Sequence, residues 1–197
     1  MRIDQRARAR RVMLTGTALL FFLSGAVLLG HTSLFYMKGA AVQFLLNQSW
    51  EKSRGGDPVY LRGWDIRPAG RLSIPSLGVS LVVLDRADRD SLAYGPGYIA
   101  ASAPPGSEGN IAIAGHRDSF FRDLRFVAKG DVIELESQGA VQRFIVTGMS
   151  ISDPGDTHWA DTLPQHALTL ITCYPFDYVG PAPQRYIVRA RLVREGR

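Results

Sequence analysis

The stretch "ALTLITCYPF" (Ala167–Phe176) contains the chain's only cysteine, Cys173, at the end of an apolar run that stops at Pro175. Such a run predicts a buried β-strand. Six further runs of this kind lie between Gly, Pro and Asp residues, and each predicts a strand: 71–75, 79–84, 110–116, 132–137, 142–152 and 184–193. The predicted helices at 85–94 and 119–127 are too short for an alternating α/β sheet. We therefore predict a mainly β fold, a closed or partly closed barrel of mostly antiparallel strands.

The first thirty residues predict a membrane anchor. Residues 12–30 carry no charge and would form a helix of about 28 Å, close to the hydrocarbon thickness of a bilayer. Residues 1–11 carry five arginines and one aspartate, which account for most of the net charge of +5 and predict a cytoplasmic N-terminus. A cleaved signal peptide is the alternative, although its apolar core is normally shorter and precedes a recognisable cleavage site. The rest of the chain is nearly neutral, so its charge gives no support for nucleic-acid binding.

Between the anchor and the predicted barrel lies a membrane-proximal region, residues 31–70. Apolar residues at helical spacing over 31–50 predict a helix that lies on the membrane surface or docks on the domain, and 51–58 reads as a linker. The folded domain, 71–197, is then expected outside the membrane, in an oxidising compartment. A single cysteine there cannot form an intrachain disulfide, so Cys173 is an inert buried thiol, a thiol that pairs between chains, or a reactive one.

Two further residue types could make Cys173 a nucleophile. A thiol is activated when a base takes its proton or a cation stabilises the thiolate. His116 ends the predicted strand 110–116 after a glycine, and a strand end is a suitable place to hold a base. Arg185, Arg189 and Arg191 alternate along the last strand, where an arginine can donate to an oxyanion. We interpret Arg189 and Arg191 as solvated, and a structural role for the histidine and the cysteine stays open on these residues alone.

A resemblance to a known family adds to this pattern. "TLITC" (169–173) resembles the T-L-x-T-C signature of sortases, which are membrane-anchored cysteine transpeptidases, and "AGHRDSFFRDLRFVAKGDVIEL" (114–135) resembles their histidine segment. Arg185, twelve residues after the cysteine, matches the position of the family's arginine. The resemblance covers about 71–193 and implies a sortase-like closed β-barrel of about eight strands. Three stretches look like the class GN, or marine proteobacterial, sortases of Gram-negative inner membranes: 91–99, 115–121 and 172–188.

The resemblance implies a role for each of three residues. Cys173 would attack a peptide bond in the C-terminal sorting signal of a secreted protein, an LPxTG-like signal by analogy, and form a thioacyl intermediate. His116 would protonate the leaving amine and later activate an incoming amine, whose identity stays open. Arg185 would hold the substrate and stabilise the oxyanion. The family also implies a single-pass inner-membrane protein whose catalytic domain is periplasmic.

Less specific site predictions accompany these roles. Thr172, Tyr174 and Asp118 are assigned to the substrate groove, and Asp118 has a second interpretation as the cap of a short helix that begins near Ser119. Four acidic residues could form a calcium site of the kind that some sortases carry: Glu134, Glu136, Asp153 and Asp156. Acidic residues near turns are more often solvated caps, so we expect no metal site and no obligatory cofactor.

Two other functions remain as alternatives. One is a periplasmic cysteine protease or a transpeptidase that acts on peptidoglycan peptides. The peptidoglycan enzymes carry a glycine and an arginine beside the cysteine, whereas this chain has Thr172 and Tyr174. The other is a non-catalytic, membrane-tethered barrel that binds a partner peptide, in which Cys173 would be buried and indifferent to thiol reagents.

Overall fold

The computed structural model of the chain describes residues 2–52, 67–137, 139–160 and 166–193. Most of the predicted linker at 51–58 lies outside the described residues, whereas residues 51 and 52 end a helix. This helix, α1 (Arg2–Lys52), includes the predicted apolar segment. Within it, Met13–Gly30 has a mean hydropathy of 1.9 over 18 residues and is long and apolar enough to cross a membrane. The chain divides into two compact units, Met1–Lys38 and Gly39–Arg197.

The second unit contains the barrel. Within the described residues its strands are β1 (Pro68–Ile74), β2 (Val79–Leu84), β3 (Gly97–Tyr98), β4 (Asn110–Ala114), β5 (Val132–Ser137), β6 (Ala140–Ser152), β7 (Ala167–Tyr174) and β8 (Gln184–Leu192). They close in the order β1-β2-β3-β4-β7-β8-β6-β5. Two pairs are parallel, β2 with β3 and β4 with β7, and the others are antiparallel. The predicted closed barrel of about eight strands is confirmed.

Differences from the predicted elements are small. The strand β3 was not predicted, because two residues are too few to show an alternating pattern. The two predicted helices shrink to single 3₁₀ turns at Ser91–Ala93 and Arg122–Phe126. Two more such turns lie at Pro75–Leu77 and His158–Ala160.

Alternation along the strands separates an interior from an outer face. The interior is filled by aliphatic and aromatic side chains that are almost completely buried: Leu72, Ile74, Val83, Ile111, Ile113, Ile133, Leu135, Phe144, Val146, Leu168, Leu170 and Val188. On β8, for example, Val188 and Ala190 point inward while Arg191 is exposed, as the alternation predicts. The residues that alternate with these interior ones on β4, β7 and β8 therefore lie together on the outer face of the barrel.

The end of α1 packs on this barrel. Val42 and Leu46 contact Val82 and Leu84 of β2 in a small apolar cluster. The Gln43 side chain acts like a neighbouring strand: its Nε2 donates to the carbonyl of Val82, and its Oε1 accepts from the Val82 N–H, each at 2.9 Å. The sequence left two positions for this helix, on the membrane surface or on the domain. The contacts of Gly39–Lys52 show that this part of the helix docks on the domain. The compact unit thus includes a segment that the sequence analysis assigned to the region before residue 71.

Candidate active site

Cys173 lies near the end of β7, between strands that carry the other two predicted catalytic residues. The six residues before it, 167–172, are buried, whereas Cys173 itself is half-buried and a free thiol. One neighbour of β7 is the parallel strand β4, and the other is the antiparallel strand β8. A nucleophile at this position can be reached from the outer face.

His116 is held beside Cys173 by bonds between the end of β4 and β7. Ala114 pairs with Ile171, and the next peptide continues the register, because the Gly115 N–H donates to the carbonyl of Ile171 at 3.1 Å. The Thr172 hydroxyl donates to the Gly115 carbonyl at 2.7 Å. His116 follows Gly115 and Cys173 follows Thr172. The pairing of β4 with β7 therefore places His116 beside Cys173.

A tight turn follows His116, and Gly115 is required by the packing beneath it. The carbonyl of His116 accepts from the Phe121 N–H at 2.9 Å, which closes the turn. A Cβ at Gly115 would lie 2.7 Å from Cδ2 of the buried Phe121 ring, closer than real Cβ contacts. The glycine therefore lets this ring pack directly against the chain that carries the histidine.

Arg185 lies beside Cys173 on the other neighbouring strand, β8. It is the direct cross-strand partner of Cys173 in the antiparallel pair of β7 and β8, so the two side chains share a face. The guanidinium is half-buried, and its Nη1 donates to the carbonyl of Gln184 at 3.0 Å and more weakly to that of Ala182 at 3.5 Å. The structure thus brings together the three residues named by the sequence.

An apolar floor extends from these residues along the outer face. Ala112, Ile171 and Ile187 come from β4, β7 and β8 and are buried together, with Ile99 and Trp159 packed against them. Because Ile171 and Ile187 precede and follow Cys173 and Arg185 by two residues, they lie on the same face. Since the three strand residues are almost fully buried, the apolar surface beside the thiol comes from the partly buried Ile99 and Trp159 that cover this floor.

Trp159, in the connection between β6 and β7, was not among the predicted site residues. The Trp159 carbonyl accepts from the side-chain amide Nδ2 of Asn110 at 2.9 Å, and the side-chain Oδ1 of Asn110 accepts from the Thr169 hydroxyl at 2.7 Å. Asn110 and Thr169 are both completely buried. This polar link fastens the Trp159 turn to β4 and β7, and a tryptophan in a polar loop was the only sequence signal for it.

The three lesser site predictions fall in different places. Thr172 is buried with its hydroxyl bonded to Gly115, so it connects β7 to the histidine turn and does not line the surface groove. Tyr174 points to the end of the barrel interior. Asp118 is exposed in the turn after His116. Its interpretation as a helix cap is wrong, because the 3₁₀ turn begins only at Arg122, with Phe121 at the N-cap position.

An aromatic cluster closes the barrel beneath the site. Tyr174 stacks on Tyr186 with ring centroids 6.1 Å apart, and Phe176 meets Tyr186 edge-on at 5.1 Å. Burial, and to a lesser extent the neighbouring Tyr174, raises the pKa of Tyr186, so its hydroxyl stays neutral at physiological pH. Phe176 and Tyr186 pack against the interior core, so the cluster lies on the opposite face of β7 and β8 from Cys173 and Arg185.

Two arginines near the site were not singled out by the sequence. Arg117, directly after His116, is buried and donates from Nη2 to the carbonyls of Tyr178 and Gly180. Arg125 lies over the Phe176 ring, 5.0 Å from its centroid, and pairs with Asp177 at 3.0 Å. Both bind the loop between β7 and β8. Arginines near a histidine motif are common, so the sequence alone could not indicate that these two bind the loop between β7 and β8.

Three of the four acidic residues considered for calcium have other partners. Glu134 and Glu136 pair with Arg143 and Arg71 across β5 and its neighbours. The Ser152 hydroxyl and the His158 N–H lower the pKa of Asp156, which is consistent with a carboxylate that orders its own loop. Among the described residues, no three His, Cys, Asp or Glu side chains lie together as metal ligands would.

Comparisons with known proteins agree with this geometry. The sortase domain family matches residues 72–193. The chain is 38% identical over 128 residues to Sortase D of Bacillus subtilis (strain 168) and 33% identical over 128 residues to Sortase A of Bacillus anthracis. The matched regions are 64% and 63% of this chain, but only 64% and 59% of those two proteins.

Solved structures show the same fold. A Sortase A from Corynebacterium diphtheriae, a lid mutant, aligns with a TM-score of 0.62 and 27% identity over 69% of this chain and 75% of its own. A Clostridium perfringens Sortase D5 transpeptidase aligns with a TM-score of 0.59 and 26% identity over 64% of this chain and 79% of its own. With a family match over more than half of its length, the chain belongs to the sortase family.

Proposed function

We propose that the protein is a sortase-type cysteine transpeptidase in which Cys173 is the nucleophile. The observation that carries the proposal is the register of β4, β7 and β8, which sets His116 and Arg185 on either side of the one cysteine. A half-buried thiol on the outer face is open to a substrate, whereas a packing cysteine would share the burial of residues 167–172.

The chemistry follows from these three side chains. The Cys173 thiol gives its proton to His116 as the sulfur bonds to the scissile carbonyl carbon, and Arg185 donates to the oxyanion that forms. The C–N bond then breaks as His116 gives its proton to the leaving amine, which leaves a thioacyl enzyme. An acceptor amine attacks the thioester and gives its proton to His116. The C–S bond breaks and the new amide is released.

The substrate we propose is an extended C-terminal sorting signal, LPxTG-like, on a secreted protein. An extended peptide could contact the partly buried Ile99 and Trp159, which cover the apolar floor, and place its scissile bond at Cys173. The leucine and proline of such a signal suit these apolar side chains. The acceptor is an amine.

We also propose a class GN sortase anchored in the inner membrane. The stretches 91–99, 115–121 and 172–188 support the class. The helix segment Met13–Gly30 supports the anchor, and the arginines before it support a cytoplasmic N-terminus with a periplasmic catalytic domain.

The test is mass spectrometry of the full chain in detergent, incubated with a Leu-Pro-Glu-Thr-Gly peptide and then with triglycine. We expect a thioacyl adduct on Cys173 that triglycine removes with formation of the ligated peptide. Cys173→Ala should abolish the adduct, and His116→Ala and Arg185→Ala should each slow it at least about a hundredfold.

Other outcomes would contradict the proposal. A peptide that binds without acylation, together with a thiol that reacts only after denaturation, would favour the non-catalytic binding module. Release of hydrolysed peptide alone, at every triglycine concentration, would favour a protease.

A further inference from the structure

Arg117 is a buried charge beside His116 that the reaction above does not use. Its side chain is only 8% exposed, and it binds two backbone carbonyls and lies over the Tyr178 ring, 5.8 Å from the ring centroid. Its Nη1 is buried and has no hydrogen-bond partner among the described residues. Neutral carbonyls and a ring face offset only part of the cost of burying a guanidinium. Because burying the Arg117 guanidinium does not favour stability, it points to a functional role for this residue.

The loop that Arg117 contacts also holds the catalytic arginine. Arg117 binds the carbonyls of Tyr178 and Gly180, and Arg185 binds those of Ala182 and Gln184. Four alternate carbonyls of one segment, 178–184, are therefore shared between two arginines. The position of the segment determines where the Arg185 guanidinium rests.

Apart from Arg117, little restrains the tip of this loop. Residues 177–181 are exposed, and the side chain of Val179 at the tip is 94% exposed. The other arginine on the loop, Arg125, pairs with Asp177, but the Asp177 side chain is 87% exposed, and such surface ion pairs contribute little. The Tyr178 N–H donates to the Pro175 carbonyl at 3.3 Å, and within the described part of the chain Arg117 supplies the side-chain hydrogen bonds to residues 178–180.

We propose that Arg117 is a positioning residue that holds segment 178–184 against the histidine turn and thereby aims Arg185 at Cys173. The inference rests on the proposed role of Arg185 at the oxyanion. Without Arg117 the segment moves, and the guanidinium that rests on its carbonyls moves with it. A lysine would keep the charge but could not bind two carbonyls through a planar group that also stacks on a ring.

The chain's single cysteine provides a test that needs no substrate. The rate at which Cys173 reacts with anionic iodoacetate, divided by the rate with neutral iodoacetamide, reports a cation close to the sulfur. We would measure this ratio on the full chain in non-ionic detergent for the parent, Arg117→Lys, Arg185→Met and the double variant. Arg125→Lys is the matched control, because it alters the other arginine on the same loop.

Coupling between the two arginines is the expected result. Arg185→Met should lower the ratio severalfold, Arg117→Lys should lower it comparably, and the double variant should match Arg185→Met alone, because Arg117 acts through Arg185. Arg125→Lys should keep the parental ratio. With the Leu-Pro-Glu-Thr-Gly peptide, Arg117→Lys should lower kcat by about a hundredfold, as a misplaced catalytic group does, with a smaller change in KM.

Three results would overturn the inference. The first is a parental ratio in Arg117→Lys, whether or not its unfolding temperature falls, since a lower temperature alone would mean a purely structural role. The second is losses that add in the double variant, which would mean that Arg117 acts independently of Arg185. The third is an unchanged ratio in Arg185→Met. A different outcome separates the two proposals. If the ratios of the parent and the variants show the coupling but the peptide never acylates Cys173, the positioning role stands while the proposed substrate fails.

Discussion

Thr172 and Cys173 are adjacent on β7, yet their side chains serve opposite faces of the barrel. Strand alternation turns Cys173 outward, where it is half-buried, and turns Thr172 inward, where it is buried and bonded to Gly115. The T-C pair of the motif thus combines the proposed nucleophile with the hydroxyl that fastens the turn of His116. A motif residue next to a nucleophile need not touch substrate.

Replacing Thr172 by Val tests this link. The change keeps the shape but leaves the buried Gly115 carbonyl without its donor, so we expect a loss of about 1–3 kcal/mol in the free energy of unfolding. Turnover of the Leu-Pro-Glu-Thr-Gly peptide should also fall, because His116 follows Gly115 directly. Urea unfolding and steady-state kinetics measure the two effects. Thr172→Ser keeps the hydroxyl and should stay near the parent, and equal losses in both variants would implicate the methyl group instead.

At the scale of elements, the end of α1 covers the part of β2 that the short β3 leaves unpaired. β2 meets the short β3 at one pair only, Leu84 with Gly97. The Gln43 side chain supplies the missing partner for the Val82 peptide groups, and its Nε2 also donates to the Tyr94 carbonyl at 3.0 Å. A side-chain amide can replace a strand peptide here because it offers one donor and one acceptor in a plane.

Adjacent leucines on this helix provide a matched pair for mutation. Leu46 is fully buried against β2, whereas Leu45 is 47% exposed. Leu46→Ala should cost about 2–5 kcal/mol of unfolding free energy through the cavity that it leaves. Leu45→Ala should change it by less than about 0.5 kcal/mol, as surface substitutions do. Denaturant titration of both variants decides the matter, and similar values would show that the helix does not dock in solution.

At the scale of the whole molecule, the helix segment belongs to the compact unit that begins at Gly39. A soluble fragment of residues 39–197 should therefore be markedly more stable than one of residues 53–197, which lacks Val42, Gln43 and Leu46. The shorter fragment loses about 4 kcal/mol of burial and hydrogen bonding, which lowers the unfolding temperature by about 10 °C. Differential scanning calorimetry of the two fragments measures this difference, and coincident transitions would argue that the helix contributes nothing.

Much of the fold and part of the candidate site could be predicted because their signals are local. Alternation and turn residues predicted β2 and β5 with the bounds that the structure has, and the short motifs identified Cys173, His116 and Arg185. β3 escaped prediction because two residues carry no period, and the two short helices were predicted too long because apolar spacing does not show where a turn ends.

The sequence by itself determined the strand-rich class and the apolar N-terminal segment and named three candidate site residues, since each depends on neighbours within a few positions. Only the tertiary structure decided that Gln43 pairs with Val82, that Trp159 joins the apolar floor, and that Arg117 holds the loop of Arg185. These contacts join residues 39 to 63 positions apart in the chain for Gln43 and Arg117. No periodicity or motif encodes such pairs, because closing the barrel is what brings them together.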